Sequence, residues 1–209
     1  MAIPTSDMPG HKKLHERVYN ALDRCQESIS VDFKESAPWE ELKWQIIRTA
    51  LGMGNLRDGG IIIIGASERG STWDLPGISS EHLATFDTDV VIDVINKYAS
   101  PPIKIDLVIV TYRNSNIFLA IQVNEFFDTP FVCKKNGPET GKRLREGDVF
   151  VRPPGKPRTT RITTAEEMQD LLELAAEKRA RRILEVAYRI GLKATDTSIQ
   201  KFDTELEGL

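Results

Sequence analysis

Residues 58–65 read Asp-Gly-Gly-Ile-Ile-Ile-Ile-Gly, four consecutive isoleucines between glycine-bearing turns. β-Branched side chains favour extended backbone, and a strand with one solvated face would alternate apolar and polar residues. This run does not alternate, which predicts a central strand covered on both faces.

Working outward, residues 27–36 read ESISVDFKES. Ile29, Val31 and Phe33 fall on one face and Ser30, Asp32 and Lys34 on the other, which predicts a strand with one wet face. Between the two strands, WEELKWQIIRTALGM carries Leu42, Ile46, Thr49, Ala50 and Met53 at helical spacing, with Glu40 and Glu41 in a first turn whose dipole favours acids. An earlier helix is predicted from His11 to about Cys25, with Leu14, Val18 and Leu22 on its apolar side.

Beyond the isoleucines, Gly65 to Gly70 reads as a tight turn. Val90, Val91, Val94 and Ile95 predict a helix over 87–98, stopped by Ser100-Pro101-Pro102. KIDLVIVTYRNSNIFLAIQVNEF gives two β-rich runs about Arg113–Asn116, a hairpin signal. Short strands around Phe131–Cys133 and Val149–Val151 flank a polar loop. Thr163 or Thr164, with Glu166 or Glu167 three residues on, forms a capping box that opens a last helix reaching about Ile190. Leu171, Leu172, Ala175, Ile183, Val186, Ala187 and Ile190 line one side of it. It is expected to pack on the domain first and to project beyond it second. The fold class is α+β: a mixed, largely antiparallel sheet with flanking helices and a long C-terminal helix. The expected organisation is a helical segment over 1–26, one domain over 27–162, a packing or dimerisation helix over 163–190, and a polar tail over 191–209.

A chain of 209 residues, 40% hydrophobic, can bury a sizeable core. Cys25 and Cys133 lie far apart without metal-ligand spacing, which argues against a disulfide framework or a zinc site and fits a reducing cytoplasm. No apolar run approaches the ~20 residues that cross a bilayer, and MAIPTSDMPGHKK lacks an apolar signal core, so no membrane partner is expected. The net charge of −3 gives no global attraction to nucleic acid; such a function needs a local excess of cations. One exists. Lys134, Lys135, Lys142, Arg143, Arg145, Arg152, Lys156, Arg158 and Arg161 stand against only Glu139, Glu146 and Asp148. This is either a solvated loop surface or a track for a phosphate backbone, in which each neutralised phosphate releases counterions. Few aromatics interleave, so base stacking is not indicated.

Two other patterns carry less. GPETGKR is not a phosphate-binding P-loop: it has one residue too few between Gly137 and Gly141, and Arg143 stands where Ser or Thr would hold the metal. His11 and His15 lie four apart on a predicted helix but have no third ligand.

The acids are more informative. Asp32 and Lys34 project from one strand face, a pairing suited to metal-dependent phosphodiester cleavage, in which the carboxylate holds Mg²⁺ or Mn²⁺ and the lysine steadies developing charge. Glu27 lies at the start of the same strand and Glu68 just past the isoleucine strand, so pairing of the two strands could gather three acids. The alternative is an exposed Asp–Lys pair worth under ~1 kcal/mol.

In order, ESISVDFKES, ALGMGN, DGGIIIIGASERG, Pro130-Phe131 and LREGDVFVRPPGKPRTT resemble the Schlafen-type Alba-like domain, over about Glu27 to Arg161. The resemblance implies nucleic-acid binding, to RNA or DNA, in a positively charged groove. For its animal members it implies an endoribonuclease acting on tRNA and rRNA. By position it assigns Glu27, Asp32 and Glu68 to a Mg or Mn ion, with Lys34 beside them, in a bacterial defence or stress setting. Asp32 is shorter and Glu68 longer than the family pattern, and each change moves an oxygen by about one methylene. The same resemblance implies a homodimer, since animal members build the groove from two copies of the domain. The alternatives are a non-catalytic DNA- or RNA-binding regulator or subunit, and nucleotide binding without a P-loop.

Overall fold

Ile61–Ile64 are at most 1% exposed, and their strand, β2 (Gly60–Ile64), lies inside a four-stranded sheet. The computed structural model describes residues 9–70, 72–138, 144–155 and 157–191. β2 runs parallel to β1 (Val31–Lys34), Asp32 opposite Ile62, and antiparallel to β7 (Asn116–Val123). β7 in turn forms the expected hairpin with β6 (Ile105–Tyr112) across a turn at Arg113–Ser115. The order is β1-β2-β7-β6, with one parallel and two antiparallel pairings.

The unbroken isoleucine run reflects two covers. Ile61 and Ile63 face α1 (Pro9–Arg24), whose Leu14, Val18, Ala21 and Leu22 pack there with Phe33, Val108 and Phe118. Ile62 and Ile64 face α2 (Trp39–Gly54) and α4 (Thr88–Asn96), through Ile46, Ala50, Met53, Val91 and Ile95. Each fully buried isoleucine stabilises by about 1.5–3 kcal/mol, an upper figure relative to an extended chain. The turn into β2 requires glycine: Gly59 has φ +62°, and a Cβ there would sit 2.1 Å from the Val123 carbonyl oxygen.

Of the smaller pieces, the sequence foreshadows β8 (Val132–Cys133) and β9 (Phe150–Val151) but not the others. Ser67–Arg69 (β3) and Thr72–Asp74 (β4) pair as a hairpin where a tight turn was expected. β5 (Ala99–Ser100) pairs with β8 (Val132–Cys133), β9 (Phe150–Val151) pairs with β10 (Thr160–Arg161), and Ser80–Leu83 forms the short α3. Asn55, the C-cap of α2, ties two of these pieces together. Its amide donates to the carbonyls of Phe131 and Phe150, each at 2.9 Å, and its oxygen accepts from Phe131 N at 2.7 Å. α5 (Ala165–Arg189) opens with the predicted capping box at Thr164 and Glu167. It buries Leu171 against the domain, whereas Leu184, Tyr188 and Ile190 are exposed. No described helix is long and apolar enough to cross a membrane.

Candidate functional site

The expected wet face of β1 is covered: Asp32 is buried and Lys34 beside it is half-buried. Asp32 takes Lys34 Nζ on Oδ2 and Arg152 Nη1, at 3.1 Å, on Oδ1. It is therefore not an exposed ion pair. Arg152, expected on an open phosphate track, has a fully enclosed side chain. Its guanidinium donates to Thr159 Oγ1 (3.3 Å), Ser28 O (3.0 Å) and Pro157 O (2.9 Å) as well as to Asp32. A carboxylate removed from water needs a partner charge, and Arg152 and Lys34 supply it.

Glu27 lies beside this cluster, where its Oε1 accepts from Phe33 N at 2.9 Å. Burial pushes its carboxyl above the ordinary range, and the charge of Asp32 adds to this. The backbone donor, Lys34 and Arg152 act in the opposite sense. Ser28 and Val31 exchange backbone hydrogen bonds of 3.1 and 3.3 Å, closing a small bridge ahead of the strand.

As it stands, the cluster is closed by its own contacts. Both Asp32 oxygens face cations, and one Glu27 oxygen is committed to backbone. Glu68 is exposed on β3, opposite Trp73. Among the described residues no three His, Cys, Asp or Glu side chains group to hold a metal. Mg²⁺ needs near-octahedral oxygens at about 2.0–2.1 Å. The structure thus brings Glu27, Asp32 and Lys34 together and sets Glu68 on the β3–β4 hairpin.

A second arrangement draws four arginines to one groove of about 680 Å³. Arg48 comes from α2, Arg145 from the turn before β9, Arg158 from the segment after Arg152, and Arg161 from β10. Arg48 Nη2 donates to Thr159 O at 2.7 Å, and Arg161 pairs with Asp148 at 3.3 Å. Arg145 and Arg158 are exposed, and neither side chain has an ion pair among the described residues. Thr160, Thr163 and Glu167 complete the rim. The Glu167 carboxylate accepts from Thr163 N and Thr164 N at 2.9 and 3.3 Å, so it is held at the α5 N-terminus.

The two arrangements share a strap. Residues 157–159 are gripped by Arg152 at Pro157 O and Thr159 Oγ1, and by Arg48 at Thr159 O, which presents Arg158 between them. Thr159 lies against α2 because residue 52 is glycine: a Cβ there would come 2.6 Å from Thr159 Cγ2. Sequence reasoning missed Arg48. It lies on a helix about a hundred residues before the basic tract, and no local pattern links the two. Of the remaining expected cations, Lys134 is exposed and Lys135 sits 4.8 Å over the Tyr98 ring, neither of them lining this groove. Lys142, Arg143 and Lys156 lie outside the described residues.

Comparison with known proteins gives one family. A family model described as Schlafen, AlbA_2 matches residues 27–161, well over half of the chain. No functionally curated protein matches the sequence. Among solved structures, the DIP2311 protein from Corynebacterium diphtheriae matches at 18% identity and a TM-score of 0.47. That match covers 75% of this chain but only 28% of that one. The N-terminal domain of a RecG-related protein from Nitrosomonas europaea matches at 14% identity and a TM-score of 0.39, covering 72% of this chain and 92% of that domain.

Proposed function

The chain belongs to the Schlafen, AlbA_2 family, and from that premise we propose that it binds nucleic acid by its phosphate backbone in the four-arginine groove. The observation that carries this reading is the contrast within the groove. Arg48 and Arg161 are held by internal partners, while Arg145 and Arg158 present exposed guanidinium groups without ion pairs among the described residues. A guanidinium fork matches two phosphate oxygens, and its weak hydration makes that exchange favourable. Threonine hydroxyls on the rim add neutral donors. With an overall charge of −3, attraction depends on local cationic surface such as this one and weakens as salt rises. A cytoplasmic setting belongs to the same reading.

The test is fluorescence anisotropy of labelled RNA and DNA oligonucleotides across a salt series. Exchanging Arg145→Glu and Arg158→Glu together is expected to weaken binding at least about tenfold. It is also expected to flatten the log–log salt slope by roughly 0.7–0.9 per lost phosphate contact, with the melting temperature unchanged. Equal affinity and equal slope in the double variant would sink the proposal.

The endoribonuclease reading is kept as the second, on the strength of the Asp32–Lys34 pair at the strand edge. It requires Glu68 and a divalent ion to join Glu27 and Asp32. Incubation of tRNA and rRNA with purified protein and Mg²⁺ or Mn²⁺ decides it: uncut RNA in both metals removes the reading and leaves backbone binding intact.

A further inference from the structure

α5 carries apolar surface that its own chain does not cover. Leu172, Ala176, Arg179, Ile183, Val186 and Ile190 recur along it at alternating steps of four and three, which keeps one seam on one side of a helix. Leu172 is 56% exposed, Ile183 62%, Val186 47% and Ile190 67%. Over its first half the seam is turned away from the side that meets the domain, where Leu171 is buried, Leu174 and Ala175 pack on the core, and Lys178 pairs with Glu125. Further along, Arg179, Ile183 and Val186 stay exposed while bordering an open hollow beside Asp128 and Thr129. At 1.5 Å per residue the seam runs about 27 Å. Apolar surface gathered in this way marks an interaction site.

We propose that a second copy of this chain covers the seam, with the two α5 helices antiparallel about a twofold axis near Arg181. Charge favours both the occupant and the direction, through the groups left over once Arg57–Glu177–Arg181, Lys178–Glu125 and Arg182–Asp128 have paired within the chain. The first half of the helix holds Glu166, Glu167, Asp170, Glu173 and Glu177 and no base. The second half holds Lys178, Arg179, Arg181, Arg182 and Arg189 against Glu185 alone. Antiparallel copies set the acidic half of each helix beside the basic half of the other. Parallel copies set like against like.

Packing selects the same direction. In the antiparallel register Leu172 meets the partner's Ile190, Ala176 meets the partner's Val186, and Arg179 lays its stem on the partner's Ile183. A parallel pair would stack Arg179 on the partner's Arg179 and leave a gap between two small Ala176 side chains. A twofold pair also closes on itself, so the seam builds a dimer and not a filament. Since the N-terminus of α5 borders the arginine groove, the two grooves would stand about 48 Å apart along the helices. That consequence rests on the proposed nucleic-acid binding; the pairing itself does not.

The test is sedimentation of the full chain, without nucleic acid, at low and high micromolar concentration. A dimer is expected. Ile183→Glu combined with Val186→Glu should weaken dimerisation at least about tenfold by placing charges in a dry seam, with the melting temperature of the monomer unmoved, because both side chains are exposed within one chain. A wild-type chain that stays monomeric throughout, or a variant that pairs as tightly as wild type, overturns the proposal. Direction is read by oxidation. Leu172→Cys mixed with Ile190→Cys should yield a cross-linked pair that neither gives alone, with the unsubstituted chain as control. Self-cross-linking of Leu172→Cys overturns the antiparallel arrangement. Because nucleic acid is absent from every arm, failure here leaves the groove reading untouched.

Discussion

Arg152 and Arg158 lie on one short stretch of chain. Arg152 is 2% exposed and gives its guanidinium to Asp32, Thr159 and the carbonyls of Ser28 and Pro157. Arg158 is exposed on a groove rim with no ion pair among the described residues. Residue type alone does not distinguish them; the difference lies in what each side chain meets. Arg152 meets a buried carboxylate and becomes part of the interior, whereas Arg158 meets solvent and stays available to a ligand. The two are also linked, because Arg152 holds the residues on either side of Arg158.

The contrast can be broken most severely from the inside. Arg152→Ala leaves Asp32 buried with Lys34 alone and frees the 157–159 strap, so a loss of about 3–5 kcal/mol is expected in urea unfolding. The double variant Asp32→Asn with Arg152→Met should recover much of that loss, since it removes both charges together. An Arg152→Ala chain as stable as wild type would show that the enclosed cluster contributes nothing.

Next in size is the groove wall. Arg48→Ala removes the bond to Thr159 O and should cost about 1 kcal/mol. Arg158→Ala should stay within about 0.5 kcal/mol of wild type. Equal losses at the two positions would erase the distinction between holding the strap and being carried by it.

The smallest effect concerns Glu27, whose carboxyl burial raises above its ordinary 4.5. A raised folded-state value means that its contribution is fully present below the unfolded value and is lost as pH rises through the folded one. Glu27→Gln keeps an oxygen for Phe33 N–H and removes the charge. Its melting temperature should therefore exceed that of wild type at about pH 8 and match it at about pH 4. A shift of the opposite sign at high pH would mean that the Lys34 and Arg152 charges outweigh burial.

Much of the fold was legible where a pattern is long. Four isoleucines announced the central strand, KIDLVIVTYRNSNIFLAIQV the hairpin, and Thr164 with Glu167 the start of α5. The order of short motifs was enough to indicate the family. Two-residue strands such as β5 and β10 have no period to read, and they form because Val132–Cys133 and Phe150–Val151 lie beside them. Alternation in ESISVDFKES correctly separated two faces, but it could not say that the polar one would be roofed by a residue 120 positions later. For the same reason the basic tract, read as one stripe, divides in space into an enclosed Arg152, a groove-lining Arg145, Arg158 and Arg161, and a Lys134–Lys135 pair elsewhere.

The bridge and carboxylate at the head of β1 have one more effect. β1 is an outer strand of the sheet, and its outward backbone groups belong to Val31 and Phe33. Ser28 takes both Val31 groups, Glu27 takes Phe33 N, and Lys34 takes Phe33 O at 3.1 Å. Exposed strand edges invite further strands, from a stray copy as readily as from a partner, and lead to aggregation. Here a fifth strand would first have to displace four existing hydrogen bonds, so the sheet is sealed at this margin by residues lying just upstream of, and within, the strand itself.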